Sequence, residues 1–313
     1  MSHQFNRSAH AGRISGAAII SAITISALSF APAQAATGDP GADIERVIDT
    51  SPAIEMADSA VAQRAAVEGN TVTVSGVDSA ITVELPVSEK NEVVDDGLIS
   101  LSSGSSYSVV PVAVEDGSVA IHSVMNDPSA PRTYDYLIDL PAGSELEVQG
   151  GDGSVVAYGP DGTPVAYAAS PWAVDARGNE VQTHYTVDGH VLTQHVDVTA
   201  STSFPVVADP WIGIDLVSYY DFDWISGDGW KLNVGPTTWA RGVTGSPSFA
   251  LIGAAGWDEV RNLMTSTERS RLNDSGRDQY ICHMGFAGID PEWNMELWKP
   301  DKSLTGWISS QCN

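Results

Sequence analysis

Apolar side chains recur at every second position through the middle of the chain, and this period constrains the fold more than any other feature. The alternating positions are Val72 and Val74; Ile81 and Val83; Val110, Val112 and Val114; Val119 and Ile121; and Tyr134, Tyr136 and Ile138. Successive side chains of a strand point to opposite faces of its sheet. The period therefore predicts strands with one buried face.

Glycine-containing turns separate these segments. They are Glu115-Asp116-Gly117, Gly151-Asp152-Gly153, Gly159-Pro160-Asp161-Gly162 and Asp188-Gly189. Glycine supplies the positive φ angles that tight hairpins need. Two near copies of one phrase, Val155–Tyr158 and Pro164–Tyr167, flank the third turn and predict a hairpin. We therefore predict an all-β domain over residues 69–210, a meander or sandwich of roughly ten short strands.

The first 35 residues have the features of a secretory signal peptide. Arg7 and Arg13 precede an uncharged apolar stretch, and small residues lead up to Ala35, as signal peptidase requires. We predict cleavage after Ala35, secretion to the extracellular space and no stable membrane insertion. Residues 36–68 are then a leader, partly helical or disordered, with an interruption at Ser51-Pro52.

Tryptophan is concentrated near the C-terminus, where eight of the nine indoles follow Pro210. We predict a boundary over Phe204–Pro210, as a linker or a final strand, and a small α+β domain over residues 211–313. A strand-like segment runs from Ile212 to Phe222, and the apolar spacing predicts a helix from Ala254 to Met264. The residues expected to share a face of that helix are Trp257, Val260, Leu263 and Met264.

Cys282 and Cys312 are the only cysteines. Because export places the chain in an oxidising compartment, we predict that they form a disulfide. The chain-entropy argument gives such a bridge roughly 3 to 4 kcal/mol of stabilisation. The alternative is a catalytic Cys282 thiol activated by His283, which is disfavoured if the two residues are strand neighbours on opposite faces.

The charge is strongly and unevenly acidic. Residues 36–210 carry 27 acidic and 5 basic side chains, and residues 211–313 carry 13 and 8. Such an excess is repelled by phosphate backbones and anionic lipid surfaces, so we expect no nucleic-acid partner. The acidic excess is explained by the solubility that a secreted protein needs. The alternative is that the acidic half masks or carries a less acidic partner.

Candidate catalytic groups are few. His283 is followed by Asp290, Glu292 and Glu296 within the predicted disulfide loop, which offers a histidine and carboxylate pair for proton transfer. His283, Glu292 and Glu296 are therefore the candidate catalytic residues, with a structural hydrogen-bonding role for His283 as the alternative. The sequence contains neither Gly-x-Ser-x-Gly nor His-Glu-x-x-His, so the familiar hydrolases are not indicated.

Three histidines raise the question of a metal site. With a two-residue turn at Asp188-Gly189, residue 184 pairs with residue 193. This register places His184 and His195 on one face along a diagonal and His190 elsewhere. Two ligands are fewer than the four of a structural site, and residues 221–229 fail the calcium-loop pattern. We expect no metal and no cofactor.

The tryptophans suggest a surface that stacks on a ligand. An indole offers apolar area together with a polar N–H, which suits a glycan of the cell wall. The candidates for such a surface are Trp293, Trp298 and Trp307. A small domain also needs large residues for its core, which is the alternative explanation.

Several short motifs together resemble a known family. They are Gln279–His283, Pro291–Pro300 and Gln311–Asn313, with Leu232–Arg241 and Trp257-Asp258-Glu259 upstream. On these motifs, roughly residues 224–313 resemble the family catalogued as domain of unknown function 2599. The resemblance implies a secreted domain of actinobacterial type and carries over no catalytic residue.

A second resemblance concerns the end of the β-rich part. The stretch from Ser170–Ala176 through Pro205–Pro210 is similar to a segment found ahead of varied C-terminal modules in secreted proteins. This similarity implies a carrier that is not specific to its cargo.

These features favour a secreted, non-enzymatic binding protein whose C-terminal domain recognises a cell-wall glycan or an envelope protein. The alternative is an exported antibacterial effector or hydrolase with the β-rich domain as a prodomain and His283, Glu292 and Glu296 as its acting groups. The two hypotheses differ at Ala208-Asp209-Pro210, because only a prodomain requires cleavage there. The oligomeric state is left open.

Overall fold

The computed structural model describes residues 39–56, 63–76, 79–87, 91–95, 97–102 and 104–313. The predicted signal peptide lies outside these residues. Within them the helices are α1 (Pro40–Thr50), α2 (Pro52–Met56), α3 (Thr238–Gly242), α4 (Phe249–Leu263), α5 (Ser266–Arg269), α6 (Asp274–Phe286) and α7 (Ser303–Ser309).

Strands dominate the part of the chain before residue 237. The described strands are β1 (Gln63–Arg64), β2 (Val67–Glu68), β3 (Thr71–Ser75), β4 (Ala80–Glu84), β5 (Asn91–Asp95), β6 (Leu98–Ser102), β7 (Tyr107–Ala113), β8 (Val119–Met125), β9 (Thr133–Asp139), β10 (Glu145–Val148), β11 (Val155–Tyr158), β12 (Pro164–Ala168), β13 (Ala173–Val174), β14 (Thr183–Asp188), β15 (Val191–Val196), β16 (Val206–Ala208), β17 (Trp211–Gly213), β18 (Val217–Ile225), β19 (Gly229–Pro236) and β20 (Trp293–Glu296).

Two antiparallel sheets form a sandwich. In the larger sheet, as far as the chain is described, the order is β10-β11-β12-β17-β8-β7-β6-β5, with β1 beside β7 and β16 between β8 and β13. The smaller sheet has the order β14-β15-β9-β4-β3-β2. Between them lie buried side chains that include Val72, Val83, Tyr136, Leu192 and Ile121. The predicted all-β sandwich is confirmed, and so is the hairpin of β11 and β12.

The larger sheet is covered on both faces, whereas the smaller sheet has an exposed face. Along β9, buried and exposed residues alternate from Thr133 to Asp139. Every residue of β8 is buried: Val119, Ile121 and Met125 pack in the sandwich, and Ala120 and Val124 pack against elements on the opposite face. The fold therefore adds a third layer beyond the two sheets.

Helix α1 forms part of that third layer. Its apolar residues Ile44 and Val47 pack against the outer face of the larger sheet. After α1 ends, the Ser51 hydroxyl lies 2.9 Å from Nε2 of the fully buried His122. Burial lowers the pKa of His122 to about 4, so the imidazole is neutral at physiological pH.

Three hairpin turns share the pattern Asp-Gly-Ser or Asp-Gly-Thr, starting at Asp116, Asp152 and Asp161. In each, one carboxylate oxygen accepts hydrogen bonds from the N–H and the hydroxyl of the residue two positions later. The glycine between them has a positive φ, which is 84° at Gly117. These turns are Asx turns in which the aspartate side chain replaces a backbone acceptor.

Two of these turns also hold the C-terminal part of the chain. The second oxygen of Asp116 accepts a hydrogen bond of 2.9 Å from the N–H of Trp239, at the start of α3. Asp152 accepts one of 3.1 Å from the Ser248 hydroxyl and another from the Ser246 hydroxyl. The same carboxylates therefore shape the hairpins and anchor the segment that follows them.

The C-terminal module, residues 217–313, consists of β18, β19 and β20 with α3 to α7 around them. Trp257, Tyr280 and Trp293 meet in its core, with ring centroids 5.9 and 5.4 Å apart. Helix α4 begins earlier than predicted, at Phe249. Leu263 is 41% exposed, because at 100° per residue it lies away from the face that Trp257 shares with Val260 and Met264.

Two tryptophans join this module to the larger sheet. The Trp239 indole donates a hydrogen bond of 3.3 Å to the carbonyl of Trp211, whose own indole donates one of 3.0 Å to the Ser118 hydroxyl. The Trp239 ring lies 5.2 Å from the ring of Tyr167. It occupies space that any side chain at residue 213 would fill, since a Cβ on Gly213 would lie 2.7 Å from the indole.

The segment predicted as a linker or final strand is a strand. Val206–Ala208 pairs with β8 and β13, and Trp211–Gly213 pairs with β12 and β8. Residues 205–213 are all buried. The predicted strand from Ile212 to Phe222 is divided into β17, which belongs to the larger sheet, and β18, which belongs to the C-terminal module.

The predicted disulfide between Cys282 and Cys312 is confirmed. It closes a loop across a sequence separation of 30 residues and packs against Trp307. Cys282 and His283 lie in α6, so the expectation that they are strand neighbours is wrong. The hypothesis of a catalytic Cys282 thiol is contradicted instead by the disulfide itself, which leaves no free cysteine.

The hairpin that carries His184, His190 and His195 turns one residue later than predicted, so the predicted register is wrong. The loop consists of Gly189 and His190, so that Asp188 pairs with Val191. His184 therefore stands directly opposite His195, and their rings stack at 4.6 Å. Moving the turn by one residue changes each pairing by two positions, which keeps both histidines on one face as predicted.

Asp209 connects the two sheets inside the sandwich. Its Oδ1 accepts hydrogen bonds from the N–H of Trp172 at 3.0 Å and from the Gln194 amide of β15 at 3.1 Å. The carboxyl group is fully buried, and this burial raises its pKa from 3.8 to about 7, against the lowering by the Trp172 N–H.

We expect Asp209 to make the protein less stable as the pH rises. The folded state keeps a proton that the unfolded chain loses above pH 3.8, so stability is full below that pH and declines up to about pH 7. Between pH 5 and pH 8 the loss is roughly 3 kcal/mol. Urea unfolding of Asp209→Asn should show that much less decline than the parent protein. Asp135→Asn, on the exposed face of β9, is the control, and an unchanged decline in Asp209→Asn would contradict the assignment.

Candidate functional site

The three tryptophans predicted to form a ligand surface lie in different places. Trp293 and Trp307 are fully buried, one in the core of the module and the other against the disulfide. Trp298 is half-buried, and its Cβ lies close to Gly229. Of the three, only Trp298 is partly exposed.

Strand β18 alternates aromatic and acidic residues. Tyr220, Phe222 and Trp224 point to the face on which α4 and α6 pack, and Asp221 and Asp223 point to the other. Further along that inner face, Leu232 and Val234 of β19 are buried in the module core. The side chains at the hairpin end lie beyond this core.

At the hairpin end the aromatic side chains pack edge to face against one another. Trp224 meets Trp230 directly across the hairpin, with ring centroids 5.0 Å apart in an edge-to-face arrangement. Phe222 lies 6.1 Å from Trp230 and 6.2 Å from Tyr220. Trp224 is 62% exposed, although indoles are usually well covered. We call Tyr220, Phe222, Trp224, Trp230 and Arg271 the aromatic platform.

Arg271 supplies the positive charge of the platform. Its guanidinium carbon lies 4.0 Å from the centre of the Trp230 ring and 4.9 Å from that of Phe222. A guanidinium at this distance is attracted by the aromatic quadrupole, typically by about 0.5 to 1 kcal/mol at an exposed site. The stacking also orders the long arginine side chain at the edge of the platform.

A capping box positions Arg271. The Thr265 hydroxyl accepts from the N–H of Glu268, whose carboxylate accepts from the Thr265 N–H at 2.9 Å. The same carboxylate accepts a hydrogen bond of 3.3 Å from the Tyr220 hydroxyl. The N–H of Arg271 then donates to the Glu268 carbonyl at 3.0 Å. Helix α5 is thereby fastened to β18, with Arg271 beside the rings.

The opposite face of the hairpin is polar and internally paired. Asp223 lies 3.0 Å from Lys231 and accepts a hydrogen bond of 3.0 Å from Asn233. The carboxylate of Glu292 accepts a hydrogen bond of 3.0 Å from Tyr219, and Glu296 forms an ion pair with Lys299. Both candidate catalytic carboxylates therefore have partners other than His283.

His283 lies inside the module, with its Nδ1 2.8 Å from the carbonyl of Gln279 one turn earlier in α6. Because a carbonyl only accepts, Nδ1 carries the proton and Nε2 holds the lone pair. Burial lowers the pKa of His283, and the charges of Asp290 and Glu296 partly oppose that effect. The structure brings His283 near Asp290 and Glu296, whereas Glu292 is turned toward Tyr219.

A cleft of about 880 Å³ lies between the sandwich and α4. Glu259 of α4 lines it, and its carboxylate accepts hydrogen bonds of 3.0 Å from the N–H groups of Leu216 and Val217. Burial raises the pKa of Glu259 to about 7, the N–H donors oppose this effect, and the charge of Asp215 adds to it. A carboxyl group that titrates near neutral pH in a cleft is typical of functional sites.

Sequence analysis missed the residues of the platform and of the cleft. A signal for the platform was present, since Tyr220-Asp221-Phe222-Asp223-Trp224 alternates aromatic and acidic residues up to a glycine turn. The sequence prediction for these residues concerned only a calcium loop, whose pattern they fail. Glu259 stands in the family motif Trp257-Asp258-Glu259, but nothing in the sequence marks it as a site residue, because its partners Leu216 and Val217 lie far from it in the chain.

Two features are absent from the described residues. No group of three or more histidine, cysteine, aspartate or glutamate side chains is arranged to hold a metal ion there. None of the helices in that part of the chain has the length and apolar character needed to cross a membrane.

Comparison with known proteins gives one finding. Residues 220–313 match the model of a family described as "Protein of unknown function (DUF2599)", in agreement with the resemblance seen in the sequence. The matched residues include the whole aromatic platform and His283. No match was found among curated proteins or among solved structures.

We expect His283 to be neutral at pH 7 and protonated on Nδ1, because Gln279 accepts that proton and burial lowers the pKa. Nitrogen NMR of the imidazole distinguishes the two tautomers. His190 is the internal control, since its Nε2 lies 3.1 Å from the carbonyl of Ser144 and should carry the proton instead. An Nε2-protonated His283 would contradict the arrangement.

Proposed function

We propose that this is a secreted, non-enzymatic binding protein of the cell envelope, and that the aromatic platform of its C-terminal module binds cell-wall glycan. The observation that carries the proposal is the exposed Trp224 ring, ordered against Trp230 and flanked by Arg271. Such a surface combines apolar ring area with a fixed hydrogen-bond donor.

The chemistry of the platform favours a glycan over other ligands. The C–H faces of sugar rings stack on an indole, while the hydroxyl groups at their edges accept hydrogen bonds from a guanidinium. Nucleic-acid bases also stack on aromatic rings, but their phosphates would meet a chain with a net charge of −25. One arginine does not supply the cationic surface that phosphate binding requires.

Two features support secretion. The N-terminal sequence has the charge, apolar stretch and small residues of a signal peptide cleaved after Ala35. The disulfide between Cys282 and Cys312 fits an oxidising compartment. A binding protein of the envelope would act in that compartment.

The test is binding of residues 36–313, with the disulfide intact, to soluble glycan fragments released from peptidoglycan by a muramidase. We expect saturable binding that changes tryptophan fluorescence. Trp224→Ala should weaken it about tenfold, which corresponds to about 1.4 kcal/mol. Trp230→Ala should weaken it as well, since that ring supports both Trp224 and Arg271.

Trp298→Ala is the matched control, because this half-buried tryptophan lies beside Gly229 at the same hairpin and, among the described residues, its ring meets none of the platform rings. It tests the earlier candidate directly and should leave the affinity unchanged. Binding to whole envelopes that disappears after protease treatment, with none to the glycan fragments, would identify an envelope protein as the partner and overturn the glycan proposal.

The alternative hypothesis is an exported effector or hydrolase with the sandwich as a prodomain. In its favour, His283 has the tautomer of a general base and lies near Asp290 and Glu296. Against it, release of the last 103 residues would require cleavage near Asp209-Pro210, in a buried part of the larger sheet. Proteases act on exposed, flexible segments, so this cleavage would need the sheet to open.

A further inference from the structure

Four Asp-Pro bonds occur in the chain, after the carbonyls of Asp39, Asp127, Asp209 and Asp290. Three of these aspartates are exposed or partly exposed, whereas Asp209 is fully buried. An Asp-Pro bond is unusually labile among peptide bonds, because the carboxyl group can attack its own carbonyl carbon and the tertiary proline nitrogen leaves readily. The fold therefore sets one of four chemically equivalent bonds apart from the others.

The two carboxyl oxygens of Asp209 have different surroundings. Oδ1 accepts hydrogen bonds from the Trp172 N–H and from the Gln194 amide. Oδ2 is buried, and it has no hydrogen-bond partner among the described residues. Buried polar atoms are nearly always paired, so an orphaned one calls for a specific explanation, of which a catalytic role is one. Hydrogen bonds thus fix the carboxyl group through Oδ1 and leave Oδ2 free to react.

The backbone is held on both sides of the Asp209-Pro210 bond. The strand before it, β16, pairs with β8, and the strand after it, β17, pairs with β12 and β8. The Pro210 carbonyl accepts a hydrogen bond of 2.7 Å from the N–H of Ile121. A reacting group that the fold already orients reacts much faster than a freely rotating one, because the entropy of orientation is lost on folding and not in the reaction.

Burial also supplies the proton that cleavage of this bond needs. Desolvation raises the pKa of Asp209 to about 7, so the carboxyl group stays protonated in mild acid. The titratable groups that face it are Tyr136 and Tyr185, which remain neutral because burial raises the pKa of each well above its usual value. His122, whose ring lies 5.9 Å from that of Trp172, is neutral because burial lowers its pKa to about 4. Of these four titratable groups, only Asp209 changes its charge between pH 5 and pH 8.

We propose that the folded chain cleaves its own Asp209-Pro210 bond. Oδ2 of Asp209 attacks the carbonyl carbon of the same residue and closes a cyclic anhydride. The C–N bond to Pro210 breaks, its electron pair stays on the nitrogen, and that nitrogen takes the carboxyl proton to become a new N-terminal amine. Water then adds its oxygen to one carbonyl of the anhydride and gives a proton to the ring oxygen. Asp209 is left with its side-chain carboxyl group and a C-terminal one.

Cleavage leaves the two products joined by the fold. Strands β16 and β17 both remain paired with β8, and Trp239 remains packed on Tyr167. The product is a two-chain protein that is divided between residues 209 and 210. Because the attacking group belongs to the chain itself, the burial that protects this bond from proteases does not prevent the reaction. The proposal is independent of the ligand of the aromatic platform.

The test is incubation of folded residues 36–313 at pH 6 with protease inhibitors, with samples taken over several days for intact mass measurement in denaturant. We expect two fragments to accumulate, one ending at Asp209 and one beginning at Pro210. The other three Asp-Pro bonds are internal controls for ordinary acid cleavage and should stay intact. Absence of the two fragments, or equal cleavage of all four bonds, overturns the proposal.

Variants distinguish self-cleavage from the action of a protease. Asp209→Asn lacks the carboxyl group, and Pro210→Ala has a secondary amide nitrogen that leaves less readily, so each should cleave at least about tenfold more slowly. Near-ultraviolet circular dichroism establishes that both variants are folded. Asp135→Asn, on the exposed face of β9, is the matched control and should cleave at the rate of the parent protein. Cleavage of Asp209→Asn at the parent rate would identify a protease as the cause and overturn the proposal.

The rate should also follow the protonation of Asp209. Because the protonated carboxyl group supplies the proton that the nitrogen takes, cleavage should be about tenfold slower at pH 8 than at pH 6. In urea at pH 6 the same bond should cleave no faster than the other three, since the orientation given by the fold is lost. A rate that rises toward pH 8, or a preference for this bond that survives unfolding, would contradict the mechanism.

Discussion

Burial of Trp239 between the C-terminal module and the larger sheet is the contact on which the arrangement of both depends. The indole packs on Tyr167, bonds to the carbonyl of Trp211 and fills the space left by Gly213. Replacing a buried aromatic side chain of this kind by alanine typically costs about 3 to 5 kcal/mol. That amount is a large share of the stability of an ordinary domain.

Docking at Trp239 has two consequences for function. It brings α4 against the turns of the sandwich, which creates the acidic cleft and buries Glu259. It also leaves the hairpin end of β18 and β19, with the exposed Trp224, beyond the core of the module. The cleft exists only because the two parts are in contact, whereas the platform belongs to the module alone.

The sequence predicted the sandwich well, because a sheet with one exposed face imposes the period of two seen at Tyr134, Tyr136 and Ile138. It did not predict the third layer. In β8 both faces are buried, so a polar residue such as His122 or Ser123 lies in the interior, where only the partner elements show why it is tolerated. Ser51, which follows α1, supplies the partner of His122, and Tyr136 of β9 supplies that of Ser123.

The site was less predictable than the fold. Composition identified a tryptophan-rich module, but it does not distinguish Trp293, which is fully buried, from Trp224, which is exposed. That difference depends on strand register and on where the packed helices end, and neither property is local in sequence. The disulfide was predictable because compartment and cysteine count together leave a single pairing.

The central claim is that the sandwich and the C-terminal module fold as one cooperative unit. Seven of the nine tryptophans lie in residues 217–313, so tryptophan fluorescence reports mainly on the module, while pulsed hydrogen exchange into peptides from residues 63–213 reports on the sandwich. The most direct measurement is urea unfolding followed by both signals on the same sample. We expect the two curves to coincide. Two separate transitions, with the module unfolding while the sheets remain, would contradict the claim.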